Sequence, residues 1–143
     1  LELSQHRLTD YKFTWEKMLA FQGNTAPHLQ YSYVRTRSIF RKLEGGEGFA
    51  GPYAITEKEE RELALTLCKF AEIVPLVLED FRPNILAGYV YDTARAFHSF
   101  FEACPVLRAE GTPRATRLAL CEATSRVLKA GLALMGIRVT ERM

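Results

Sequence analysis

Gly23-Asn-Thr-Ala-Pro-His-Leu-Gln-Tyr-Ser-Tyr-Val-Arg-Thr-Arg-Ser-Ile-Phe-Arg-Lys42 reads as one helix with two unlike sides. At about 100° per residue, Leu29, Tyr33, Thr36, Phe40 and Leu43 fall on one face, the apolar stripe that a core needs. His28, Tyr31, Arg35, Ser38 and Lys42 cluster on the far side, with Arg37 and Arg41 between the two. Rings interleaved with cations grip unstacked nucleotides and their phosphates. A plain solvated face carrying two snorkelling aromatics has the same composition, so the stripe by itself leaves both readings open. Gly23 breaks the preceding pattern, Asn24 or Thr25 can cap, and Pro27 suits the first turn. The pattern predicts a helix running to about Glu44.

Outward from this segment the same period recurs. Pro83-Asn-Ile opens a helix in which Leu86, Tyr89, Thr93, Phe97, Phe100 and Cys104 advance by three or four residues, and Pro105 ends it. A last helix starts at Gly111-Thr-Pro-Arg, with Thr112 as cap and Pro113 at its first position. Leu118, Cys121, Ser125, Leu128, Leu132 and Met135 form its inner row, and Gly136 stops it. Between the two halves, Gly45-Gly-Glu-Gly-Phe-Ala-Gly-Pro52 is a glycine-rich connector without the Gly-Lys-Ser/Thr of a nucleotide-hydrolase phosphate loop. Thr56 and Glu59 suggest a capping box for a helix bearing Leu63, Leu67 and Phe70. Residues 73–81 predict a further short helix with Pro75 in its first turn. Residues 1–22 hold Tyr11, Phe13, Trp15 and Phe21, with a short helix expected over 15–21. Nothing alternates with period two. The expectation is an all-α helical bundle over 23–143, preceded by a lead-in segment over 1–22.

The bulk properties agree with one domain. A chain of 143 residues buries roughly two-thirds of its unfolded surface. Apolar residues make up 48% and charged residues 25%, with no low-complexity bias. A net charge of +2 does not announce a nucleic-acid binder, although 13 of the 19 cations are arginine, the better fork for phosphates. Cys68, Cys104 and Cys121 are odd in number and widely spaced, which supports neither a disulfide framework nor a zinc site. All three lie in apolar helical rows and are expected to be buried. No run has the length of a membrane span and no signal peptide is recognisable, so the expected location is the cytoplasm. The first residue is Leu, which suggests a fragment of something longer.

Catalysis by the chain itself is not expected. No Ser, His and Asp form a nucleophile-plus-base grouping. His6 precedes the folded region, and His98, beside Phe97, reads as structural. The run Glu57-x-Glu59-Glu60-x-Glu62 reads as a solvated helix start suited to the positive end of the helix dipole.

The wording of the opening segment carries a resemblance. Gly23-Asn-Thr-Ala-Pro-x-Leu-Gln-Tyr31, followed by Arg35-x-Arg-Ser-Ile-x-Arg-Lys42, resembles the class I arginyl-tRNA synthetases at the junction into their C-terminal anticodon-binding domain. Asp10-Tyr-Lys-Phe-Thr-Trp-Glu-Lys-Met-Leu-Ala-Phe21, Ala96-Phe-His-Ser-Phe-Phe-Glu-Ala-Cys-Pro-Val106, Arg117-Leu-Ala-Leu-Cys121, the segment 127–137 and the final Glu141-Arg-Met143 follow the same family. The resemblance spans essentially the whole chain. It implies the helical bundle of that domain, arginine tRNA and the enzyme's own catalytic domain as partners, and a monomer. ATP, with Mg, belongs to the parent enzyme. The chain lacks the His-x-Gly-His and Lys-Met-Ser-Lys-Ser signatures that bind ATP in this class, so the fragment is expected to be non-catalytic and free of cofactors.

The family's anticodon contacts map onto His28, Tyr31, Arg35, Arg41, Phe101 and Met143. Many relatives have Tyr where this chain has His28 and Phe101. His28 can still stack, and is expected to become a cation at mildly acidic pH. Phe101 keeps a π-face without a hydroxyl, and a core ring is its alternative role. Arg114, Arg117 and Arg126 could meet the tRNA backbone or simply be solvated. A helical protein-interaction module, and the anticodon domain of a related class I synthetase of the cysteinyl or glycyl type, are the competing readings.

Overall fold

The computed structural model describes residues 2–6, 8–10, 13–21, 23–43 and 51–143. Six α-helices follow a 3-10 turn at Glu2–Ser4: α1 (Trp15–Met18), α2 (Ala26–Arg41), α3 (Lys58–Cys68), α4 (Phe70–Asp80), α5 (Pro83–Ala103) and α6 (Gly111–Leu134). Among the described residues there is no strand, and the all-α expectation holds. Extended Thr25 precedes α2, with Pro27 in its first turn. Pro83 opens α5 with the fixed φ and missing N–H that a first turn tolerates.

Helices α1 and α2 end at Met18 and Arg41, short of the expected Phe21 and Glu44, and three other boundaries differ from the sequence reading. The cap of α3 is Glu57, paired with Glu60, one residue later than the Thr56/Glu59 box. Helix α4 starts at Phe70 and so holds Pro75 in its interior rather than its first turn. Its first turn bonds back onto Lys69, the single residue separating it from α3 (Ile73 N–H to Lys69 O, 3.1 Å). Phe70, Ile73 and Val77 then pack on the core, which offsets the bond that Pro75 cannot donate. Helix α6 is capped by Glu110, so Thr112 and Pro113 sit within its first turn. The glycine connector lies outside the described residues over 44–50, as do Tyr11 and the predicted end of α2 at Glu44.

Helix α5 is the hub, touching α2, α3, α4 and α6. Two apolar clusters fill the bundle along its length. One joins Leu29, Tyr33, Leu86, Val90, Leu128 and Leu132. The other joins Ile39, Leu63, Phe97, Phe100, Leu118 and Cys121. A fully buried Phe or Leu contributes about 1.5–3 kcal/mol relative to exposure. The α5 row predicted from its period is wholly buried. Helices α5 and α6 approach closely at Gly131, where an added Cβ would lie 2.4 Å from the Val90 Cγ2 methyl.

Buried Thr36, Thr93 and Thr124 are satisfied by donating to carbonyls three or four residues back. The three cysteines are free thiols. Cys104 and Cys121 are buried as expected, and burial pushes the Cys121 thiol up to about 12. Cys68, on the last turn of α3, is exposed, contrary to the expectation.

The acidic run also departs from its reading. Glu60 is fully buried, not solvated. Its Oε1 accepts from Arg117 Nε at 2.7 Å, and its Oε2 accepts from the N–H groups of Thr56 (2.9 Å) and Glu57 (3.2 Å). Arg117 also donates to Pro105 O at 3.1 Å. This pair ties the start of α3 to α6 and to the end of α5. Arg117 therefore faces neither solvent nor a ligand.

Candidate nucleic-acid interface

Helix α2 presents a strip of surface between two flanks. Leu29, Tyr33, Thr36 and Ile39 turn into the core. Tyr31, 53% exposed, and Lys42 point outward. One flank is α5. Arg35 lies with its guanidinium carbon 4.3 Å above the centroid of the Phe101 ring. Its Nη1 is 3.2 Å from His98 Nδ1, and His98 Nε2 is 3.1 Å from Glu102 Oε1. Nearer the start of α2, the His28 and Tyr91 rings are 6.0 Å apart, and Arg95 stands 6.0 Å from the same Tyr91 ring.

The other flank is the C-terminal tail, which lies along α2. Gln30 Nε2 donates to Arg138 O (2.6 Å), the Tyr33 hydroxyl to Glu141 Oε1 (2.9 Å) and Arg41 Nη1 to Glu141 O (2.6 Å). Arg37 Nε sits 3.5 Å from Glu141 Oε2, and its Nη1 is 3.4 Å from Glu122 Oε2. Positions 30, 33, 37 and 41 are steps of three or four, one row of the helix surface. Glu141 is the pin: one carboxylate and one carbonyl engage three side chains of that row.

The predicted residues thus fall into two groups. His28, Tyr31, Arg35 and Phe101 meet on the α5 side, with Tyr31 one turn from both His28 and Arg35 along α2. Arg41 and Met143 belong to the tail side. The Arg41 guanidinium holds the tail, and Met143, 70% exposed, ends the chain two residues beyond Glu141. Phe101 packs on the core and also stands at the surface strip. One side of its environment is Phe97, 5.9 Å away, and the other is Arg35. Beside it, a groove of about 370 Å³ runs between Ser38, Lys42 and the 105–108 loop, with Arg108 in its lining.

The electrostatics follow from these neighbours. Burial, and then the repulsion that His98 exerts when it is protonated, shift the His28 imidazole below the usual histidine range. That shift disfavours the cation that the sequence reading expects of His28 at mildly acidic pH. The Tyr33 phenol is raised by burial and by Glu141. The Glu141 carboxyl is lowered by the Tyr33 hydroxyl that donates to it, and further by Arg37.

Two contributors escaped the sequence reading. His98 belongs to this face, and its spacing of three from Phe101 on α5 was the available signal. Glu141 carried no local signal, since its partners lie about a hundred residues earlier. Of the other arginines, Arg114 donates to Leu107 O at 3.0 Å, and exposed Arg126 pairs with Glu122 at 2.9 Å. Among the described residues, no cluster of three His, Cys, Asp or Glu could hold a metal ion, and no helix is long and apolar enough to cross a membrane.

Residues 29–143 match the model of the DALR anticodon binding domain. The chain belongs to that family. As a DALR domain it has many relatives. The arginine–tRNA ligases of Laribacter hongkongensis and Chromobacterium violaceum are 47% and 46% identical over 142 residues, covering 99% of this chain and 25% of theirs. The chain thus spans about a quarter of the length of these curated relatives. Among solved structures, the arginyl-tRNA synthetase of Plasmodium falciparum superposes with a TM-score of 0.85 at 33% identity, over 99% of this chain and 25% of that one. The Thermus thermophilus arginyl-tRNA synthetase gives 0.77 at 34% identity, over 92% and 23%. The family's helical architecture and its anticodon-binding description accord with an aromatic and cationic strip on α2.

Proposed function

We propose that this DALR domain reads the anticodon of arginine tRNA as the RNA-binding part of an arginine–tRNA ligase. The observation that supports it is the Arg35 guanidinium lying over Phe101, one turn from exposed Tyr31, on a helix face that the core leaves uncovered. An anticodon loop can splay its bases, stack them on Tyr31 and Phe101, and offer phosphates and base edges to Arg35. His28 adds a neutral ring to the same strip. Exposed Met143, two residues beyond the Glu141 pin, would close the other side, and Arg41 serves by fixing that tail. Arginine tRNAs share C at the middle anticodon position, a consequence of the code, which makes that base the natural object of readout.

In this reading, 23–143 is the RNA-binding unit and 1–22 leads in from the catalytic domain. Exposed Phe13, Trp15 and Phe21 suit a segment that packs on another domain. Activation of arginine with ATP and Mg would fall to the part of the enzyme beyond this chain. The reading places the enzyme in the cytoplasm and takes it as a monomer. The test is tRNA binding by Tyr31→Ala and Arg35→Ala beside Arg126→Ala. Weaker binding in the first two, with unchanged thermal unfolding, supports the assignment. Wild-type affinity in both refutes it.

A further inference from the structure

We infer that His98, backed by Glu102, is a positioning residue that holds Arg35 over the Phe101 ring in the orientation in which Arg35 meets RNA. The inference rests on the anticodon reading above and adds a residue to it. His98, Phe101 and Glu102 stand at i, i+3 and i+4 of α5, so one helical turn supplies the ring under Arg35, the acceptor beside it and the carboxylate behind that acceptor. A guanidinium only donates. The imidazole nitrogen facing it, Nδ1, must therefore accept at 3.2 Å, which leaves the proton on Nε2 to be donated to Glu102 at 3.1 Å.

The intervening ring matters for the chemistry. A carboxylate in direct contact with Arg35 would form an ion pair and neutralise the charge that a phosphate needs. A neutral imidazole fixes the direction of the guanidinium and leaves its charge in place. A long arginine side chain fixed beforehand loses less freedom when it binds. Protonation of His98 reverses the arrangement, because Nδ1–H then points a donor at a donor. The charged and titratable groups around His98 are Arg35 and His28 from α2 and, on α5, Glu102 and Arg95 one turn back. His98 and Glu102 are 56% and 65% exposed, so their substitution leaves the core intact and the effect on binding is modest.

The test is binding of a tRNA transcript with an arginine anticodon to the chain and to His98→Ala, His98→Gln, Arg35→Ala and the His98→Ala/Arg35→Ala double variant. His98→Ala should bind about three- to fivefold more weakly. His98→Gln should restore binding, since its amide oxygen accepts from Arg35 and its amide nitrogen donates to Glu102. In the Arg35→Ala background, His98→Ala should have no further effect. Unchanged binding by His98→Ala, failure of His98→Gln to restore binding, or an equal loss in the Arg35→Ala background overturns the positioning role. Equal binding by Arg35→Ala and the unaltered chain overturns instead the anticodon reading on which it rests.

Discussion

Two arginines of this molecule each stand in line with a glutamate, and the difference between them separates scaffold from site. Arg117 meets Glu60 directly at 2.7 Å, with the carboxylate fully buried. Backbone N–H groups complete the carboxylate's shell, so Glu60 is held entirely by groups of the protein. Arg35 reaches Glu102 only through His98, lies over the Phe101 ring and stays partly exposed. A buried pair fixes where helices start and end. A partly satisfied surface cation on a ring keeps charge and donors for something else. Charge alone does not distinguish the two. The depth at which the helix packing places each one does.

The comparison can be broken at its buried end first. Arg117→Ala would leave Glu60 buried without its cation and should lower unfolding stability by about 3–5 kcal/mol, measured by urea denaturation. A loss no larger than that of a surface variant would contradict the account. The same pair sets an acid limb. Burial alone would raise the Glu60 carboxyl, but the hydrogen bond from Arg117 and those from the Thr56 and Glu57 N–H groups outweigh it and hold it below the usual range. Because its folded value is depressed, the stability it supplies is complete above the unfolded carboxyl value of about 4.3. It is lost as pH falls through the lower folded value. Glu60→Gln should flatten that part of the stability curve, and an unchanged acid limb would show that other carboxylates set it.

Smaller effects sharpen the contrast. Gly131→Ala forces a methyl against Val90 between α5 and α6 and should destabilise by about 1–3 kcal/mol with RNA affinity intact. Tyr31→Ala should do the opposite, removing about 1–3 kcal/mol of stacking in a tRNA titration while thermal unfolding stays put. Arg126→Ala breaks only a solvent-exposed pair with Glu122 and should change stability by less than about 0.5 kcal/mol. A large effect there would mean that exposed arginines of α6 matter more than their packing indicates.

The helix rows were legible because each repeats a local period. Leu86, Tyr89, Thr93, Phe97, Phe100 and Cys104 advance by three or four residues, and every one of them is buried. The α2 strip was legible for the same reason, and Tyr31 and Arg35 lie where their spacing put them. Phe101 came from the family resemblance, and the structure brings it under Arg35. What escaped depends on contacts distant in sequence. Glu60 and Arg117 are 57 residues apart, and nothing near either one marks it as buried. Glu141 and Arg41 are separated by 100 residues, so nothing local showed that Arg41, expected as an anticodon contact, also donates to the tail. The cap of α3 moved by one residue because Glu60, drawn inward by Arg117, brings the box with it. Pro75 misplaced the start of α4, where apolar anchoring of Phe70 and Ile73 prevails over the lost backbone bond.

The central claim is that the exposed face of α2 reads an arginine anticodon. Its most direct test is titration of the chain with an arginine tRNA transcript and with a copy altered at the middle anticodon base, at two salt concentrations. The account predicts tighter binding of the intact anticodon, together with an affinity that falls steeply as salt rises, the signature of phosphate contacts. Equal, weak binding of both transcripts would contradict it.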